Sequence, residues 1–256
     1  MKKSGSRKGI VDIDERRLAA LNSGAIEAAT LTECLAVDFA ELMRVTLPEI
    51  GEDAISILRQ ESQTGILKRM GITAQLILDR MGDTTLSRLI NHQSDTVRGW
   101  ACFMIGAIDN TAIADRLDAI HHFADDHHFG VREWSWMAVR PHIAAELEAS
   151  IHHLVRWTGA PSERVRRFAS ESVRPRGVWC THIGTLKKSP EVALPILEPL
   201  RADPAPYVQD SLGNWLNDAG KDQPDWVREL CRRWLEEMPN DPNTTRIVAR
   251  ALRSLK

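Results

Sequence analysis

An all-α fold, a solenoid of stacked helix pairs, is what this sequence predicts, and three observations predict it. A Val-Arg motif recurs along the chain, segments of helical period lie between its copies, and no window shows sustained β alternation. The copies are "DTVRGWACFMIGAI" from Asp95, "FGVREWSWMAVRPHI" from Phe129, "ERVRRFASESVRPRG" from Glu163 and "PYVQDSLGNWLNDAG" from Pro206. They share a valine, usually an arginine after it, and a core position three or four residues on. Aligned on Val97, Val131, Val165 and Val208, they stand 34, 34 and 43 residues apart. "NTTRIVARALRSL" fits as a fifth copy, with Thr245 and Arg246 in the two places. A helix pair at this interval is the signature of HEAT-type repeats.

Taken in order, residues 1–12 are expected to be a disordered tail and residues 13–256 a single repeat domain. Residues 13–93 read as irregular capping helices. "TLTECLAVDFAELMRVTL" opens with Thr30 three residues before Glu33, a capping-box pattern, and "EDAISILRQ" and "GILKRMGITAQLILDRM" follow. Residues 94–256 are the regular repeats. Their partner helices are predicted in "AIADRLDAIHHFA", "AAELEASIHHLVRW", "EVALPILEPLRA" and "WVRELCRRWLEEM", separated by turn signals such as "GAPSE", "ADPAP" and "MPNDPN". In the third copy Val165, Phe168, Ala169 and Val173 form an apolar stripe, and Pro175 ends or kinks the helix. One pair cannot bury its own apolar face, so pairs stack. The motif arginines Arg98, Arg132, Arg166 and Arg246 then fall in one layer, where they are expected to line one surface.

Composition narrows the function classes. The chain has 256 residues, a formal charge of −2, and charged and hydrophobic fractions of 27% and 43%, those of an ordinary soluble domain. Cys34, Cys102, Cys180 and Cys231 are scattered, which suggests neither a disulfide framework nor a zinc knuckle. The basic start "MKKSGSRKG" is followed by no apolar segment, and no long apolar run exists, so a cytoplasmic protein without a membrane span is expected. Charge is unevenly placed. Residues 151–180 hold six Arg against two Glu, whereas residues 111–130 hold four Asp against Arg116 alone. Such asymmetry lets a near-neutral protein present a basic face. "HHFADDHHFG", with His121, His122, His127 and His128, matches no zinc spacing, and no metal or cofactor is expected. Eight Trp against one Tyr raise the question of stacking surfaces, with core filling as the plainer role.

"ERVRRFASESVRPRGVW" and "ALPILEPLRADPAPYVQDSLGNWLNDAGKDQPDWVRELCRRWL" resemble the AlkC branch of the AlkC/AlkD alkylpurine DNA glycosylases. "LAALNSGAIEAATLTECLAVDFAELMRVTLP" is similar to the same branch, so the resemblance covers most of the chain. It implies HEAT-like repeats that grip duplex DNA and excise cationic N3- or N7-alkylated purines, leaving an abasic site. Such a base is already a good leaving group. The enzyme has mainly to stabilise an oxocarbenium-like sugar and position a water, which a carboxylate does, while aromatic faces favour the cation. Some AlkC members carry an immunoglobulin-like domain, which is not expected in the 256 residues of this sequence.

The resemblance assigns Arg166 and Arg167, with Arg174 and Arg176, to the DNA backbone. It places Asn214, Asn217, Asp218 and Lys221 in the matching C-terminal motif, where a structural role competes. The expected carboxylate positions hold Trp136 and Arg140 instead. Glu133, about one helical turn before Trp136, is the nearest substitute, Trp136 is expected against the lesion, and Arg140 is counted with the DNA contacts. Trp134 and Trp136 project roughly 160° apart, so at most one of them faces DNA. The expected partner is duplex DNA with alkylated bases, bound by a monomer. A non-catalytic binder of damaged or unusual DNA and a protein-interaction scaffold are the alternatives.

Overall fold

The computed structural model describes residues 13–177 and 179–255, so the tail expected over residues 1–12 lies outside the described residues. Among the described residues there are sixteen α-helices and no strand, the all-α repeat architecture expected. No helix there is long and apolar enough to cross a membrane. By its packing the chain forms two compact units. The first runs to Asn110 and adds His127–Ser135; the second takes Thr111–Asp126 and everything from Trp136 onward.

The first unit holds α1 (Glu15–Asn22), α2 (Leu31–Ala36), α3 (Phe39–Thr46), α4 (Glu52–Gln60), α5 (Ile66–Met81), α6 (Leu86–Leu89) and α7 (Asp95–Ala107). Local chemistry sets the helix starts. Asp14 and Asp38 accept first-turn N–H groups of α1 and α3 that would otherwise lack partners. Thr30 caps α2 by accepting from the Glu33 N–H, as predicted. The reciprocal bond of a capping box is replaced: Glu33 accepts from the Ala29 N–H at 2.6 Å and pairs with Arg17 at 2.5 Å. Glu33 thus keeps one backbone donor, from Ala29 in place of Thr30, and adds the Arg17 cation. α5 packs along α7, burying Met70, Ala74 and Ile77 with Trp100 and Met104.

The remaining helices are α8 (Ile113–Ala124), α9 (Phe129–Ala145), α10 (Leu147–Leu154), α11 (Glu163–Glu171), α12 (Gly184–Lys188), α13 (Leu194–Leu200), α14 (Pro206–Gly220), α15 (Pro224–Glu237) and α16 (Pro242–Leu252). The Val-Arg copies are α7, α9, α11, α14 and α16, and the predicted partner segments supply α8, α10, α13 and α15. Val165, Phe168, Ala169 and Val173 are all buried, as the stripe requires. Proline at the first turn opens α14, α15 and α16, where its missing N–H costs nothing. α11 stops at Glu171, four residues before Pro175. α14 runs between α11 and α16 and forms the centre of the second unit.

Most tryptophans fill the core. Trp100, Trp136, Trp215 and Trp234 are fully enclosed, and Trp134 and Trp157 nearly so. Trp179 is 57% exposed.

Candidate functional site

The motif arginines are spent first on structure. Arg98 donates to the carbonyls of His92 and Gln93 at 2.8 and 3.1 Å and pairs with Glu27. Arg166 repeats the arrangement. It donates to Ala160 and Pro161, both at 2.9 Å, and holds Asp203 in a two-pronged pair at 2.6 and 3.0 Å. Arg132 reaches the carbonyl of His127 at 2.9 Å. In each case the guanidinium folds back on residues five or six positions earlier and closes the turn that leads into its own helix. Arginine's rigid fork has enough donors to serve carbonyls and a carboxylate together. Arg246 differs, pairing with Gln209 and Asp210 on α14.

In the second unit a buried ionic network joins α11 to α14. Arg174 donates to Glu171 at 2.8 Å and to Asp218 at 3.0 and 2.6 Å. Ser211 donates to Glu171 at 2.7 Å, and Arg167 lies 3.6 Å from the same carboxylate. Burial by itself raises the Glu171 carboxyl, but Arg167, Arg174 and the Ser211 hydroxyl more than offset it, so Glu171 lies below its ordinary value and is ionised. Burial likewise lowers Arg174, and Glu171 and Asp218 more than compensate, leaving it above its ordinary value. Lys221 pairs with Asp218 at 2.9 Å from an exposed position.

A loop after α11 is held from beneath by Arg140. This arginine is 2% exposed and donates to the carbonyls of Ser172, Arg174 and Thr181 at 2.7, 2.5 and 3.3 Å. Gly177 permits the close approach: a Cβ there would stand 2.4 Å from Cys180 Sγ and 3.1 Å from Arg140 Cζ. On the outside, Arg176 grips Asp222 at 2.8 Å, with Lys187 3.7 Å from the same carboxylate. Trp179 stands on this loop with its ring in solvent and φ of 61°. Left-handed backbone at a bulky residue costs about 1–3 kcal/mol and is typical of functional loops.

A second basic feature lies at the C-terminal helix. Arg250 and Arg253 both donate to Asn214 Oδ1 at 3.0 Å. Burial and the adjacent Arg250 hold the Arg253 guanidinium below its ordinary value. Arg250 also pairs at 3.3 Å with Asp210, the carboxylate that Arg246 holds, so three guanidiniums gather around one carboxylate and one amide carbonyl, an arrangement suited to a phosphate.

No protein-family model matches the chain. Over 121 residues it is 40% identical to the uncharacterized protein YhaZ of Bacillus subtilis (strain 168), a match spanning 47% of this chain and 33% of that relative. Its structure is similar to Pseudomonas fluorescens alkylpurine DNA glycosylase AlkC bound to DNA containing an abasic site analog. The TM-score is 0.70 at 23% identity, over 98% of this chain and 65% of that one. It has the AlkC/AlkD fold. AlkD2 from Streptococcus mutans is also similar, with a TM-score of 0.62 at 18% identity over 80% of this chain and 98% of that one. The chain thus spans a third of the curated relative it matches and about two thirds of the AlkC chain.

Within this AlkC/AlkD fold the assigned residues separate by exposure. Trp136, expected against a lesion, is 1% exposed and lies in the core, so only movement of the helix would bring it to a ligand. Trp134, its opposite neighbour on α9, is buried as well, because both faces of that helix are covered. Arg140 is a brace for the loop and not a surface cation. Arg174, Asn217 and Asp218 are also buried; Asn217 ties down the chain end through Ala251 O and Ser254 Oγ at 3.0 and 2.6 Å. Arg166 is half-buried and engaged with Asp203. Arg167, Arg176, Asn214, Lys221 and Glu133 retain solvent contact, Arg167 lying over the Tyr207 ring at 4.7 Å. Sequence reasoning passed over Trp179, Arg250 and Arg253. The "RPRGVW" stretch stands out for its arginines, and the signal for Trp179 is weaker: a tryptophan beside glycine and proline, outside any helical period.

Proposed function

We propose that this protein is a DNA repair enzyme that binds duplex DNA as a monomer and hydrolyses the N-glycosidic bond of N3- or N7-alkylated purines. The observation that carries the reading is the likeness, over 98% of this chain, to AlkC held on abasic-site DNA. Arg167, Arg176, Lys221, Arg250 and Arg253 supply cations for phosphates, and Asn214 positions the last two. Trp179 offers the aromatic face that the sequence reading gave to Trp136. Glu133, in the first unit, is proposed separately as the carboxylate for the sugar cation, the role for which the expected positions hold no acid. With a cationic base as leaving group, one fixed negative charge near the deoxyribose and a water suffice for the bond to break.

A second reading has its own support. The two positions where the resemblance expects a carboxylate hold Trp136 and Arg140, and both are buried. A member that binds lesion-bearing DNA without cutting it fits that pair. The test is release of base from duplex DNA carrying N3-methyladenine or N7-methylguanine. Wild type is expected to release base. Glu133→Gln is expected to slow release by about 100-fold, the scale for one well-placed electrostatic group. Trp179→Ala is expected to weaken lesion-DNA binding by about tenfold, the loss of one stacking face. Salt-sensitive DNA binding without release selects the non-catalytic reading, and absence of duplex binding at low salt removes both.

A further inference from the structure

We propose that Cys34, Asp95 and His128 form a binding site for one zinc-type divalent cation in the first unit. Their donor atoms all lie within 4.8 Å of one another. The three side chains are 1%, 1% and 7% exposed, so this is an interior cluster and not an acidic surface patch. Cys34 Sγ stands 3.6 Å from Asp95 Oδ2, and His128 Nδ1 stands 3.6 Å from the same oxygen. Tetrahedral zinc bound to sulfur, nitrogen and oxygen sets its donors about 3.3–3.5 Å apart. The two spacings to Asp95 are within a few tenths of an ångström of that, and the third, from sulfur to imidazole, lies within 4.8 Å.

The surroundings are built as metal sites are built. A ligating histidine usually donates its other ring N–H to a backbone carbonyl or carboxylate, which fixes the ring and aims the free nitrogen at the ion. His128 Nε2 is 2.6 Å from the Ala28 carbonyl, leaving Nδ1 toward Asp95. The Ala28 N–H in turn donates to Asp95 Oδ1 at 3.2 Å, which orients Oδ2 between the sulfur and the imidazole. Residue 28 therefore steadies two of the three ligands at once. Nδ1 accepts from the Gly130 N–H at 3.1 Å, a bond that coordination replaces. Thiolate, carboxylate and neutral imidazole with a dication sum to zero charge, which a closed site tolerates. Binding releases the Cys34 proton to solvent and leaves a fourth position for water or a carbonyl.

The sequence hides this site because its ligands lie far apart along the chain, and the His-rich stretch contributes only His128. Cobalt titration of the chelator-stripped full chain tests it. One equivalent of Co²⁺ is expected to produce thiolate-to-cobalt charge-transfer absorption, displaced by Zn²⁺. Cys34→Ser is expected to abolish that band and Cys231→Ser, at a buried cysteine on α15, to keep it, with folding of both checked by circular dichroism. Asp95→Asn is expected to weaken Co²⁺ binding by about 100-fold. No charge-transfer band in the wild-type chain overturns the site, as does a band that survives in folded Cys34→Ser or vanishes in folded Cys231→Ser. Those outcomes would leave the three side chains as a hydrogen-bonded core cluster.

Discussion

Arg174→Met is expected to lower the unfolding free energy by about 3–5 kcal/mol, the cost of leaving a buried charge without its partner. The guanidinium answers two interior carboxylates, Glu171 and Asp218, and both lose it together. Methionine keeps much of the volume, so the loss measures charge and not a void. Acid distinguishes the two proteins. In the wild type the Glu171 carboxyl is held below its ordinary value, so the stability it contributes is present above the ordinary carboxylate range and is lost as pH falls through the lowered pKa. In the variant Arg174's share of that depression is gone while Arg167 and Ser211 keep theirs, and protonation relieves a buried charge that has lost one of its partners. Denaturant unfolding at neutral pH and at pH near 4 is therefore expected to show a large gap that narrows on acidification. A gap independent of pH would remove the ionic explanation.

Trp215→Ala is expected to destabilise the second unit by about 3–5 kcal/mol, the range for deleting a fully buried aromatic. Trp215 has no solvent exposure, its ring centroid lies 6.4 Å from that of Trp226, and its indole N–H donates to the Val173 carbonyl at 3.0 Å. The substitution leaves a cavity in α14 and strips that carbonyl of its donor just where the Trp179 loop departs. Thermal unfolding followed by circular dichroism measures the loss. A change below about 1 kcal/mol would mean that the surrounding side chains collapse into the space.

The Val-Arg period was legible because a buried valine and its neighbours recur at fixed places on each helix, and burial follows side-chain type closely. The fate of the arginines was not. Arg98 and Arg166 share their sequence context with a surface cation, and only the carbonyls five and six residues earlier, together with Glu27 and Asp203, turn them inward. The same gap separates Trp136 from Trp179. Periodicity tells which residues share a face of α9 but not that both faces are covered. The ring left in solvent belongs to a loop, where no period operates. Glu33 is a smaller case: Arg17, sixteen residues away, diverts it from the bond its spacing suggests. Long-range partners decided each outcome, and a single sequence does not display them.

The bond between His128 and Ala28, and the neighbouring one between His127 and Glu27, each span 100 residues. The first unit is accordingly discontinuous, borrowing His127–Ser135 from beyond the helix that intervenes. Order of synthesis then matters. While the ribosome is still making α8, the segment around Ala28 has emerged without the histidines that hold it, and the unit stays incomplete until α9 follows. A fragment ending at Asn110 would carry every residue of the first seven helices and still lack the clasp that closes them.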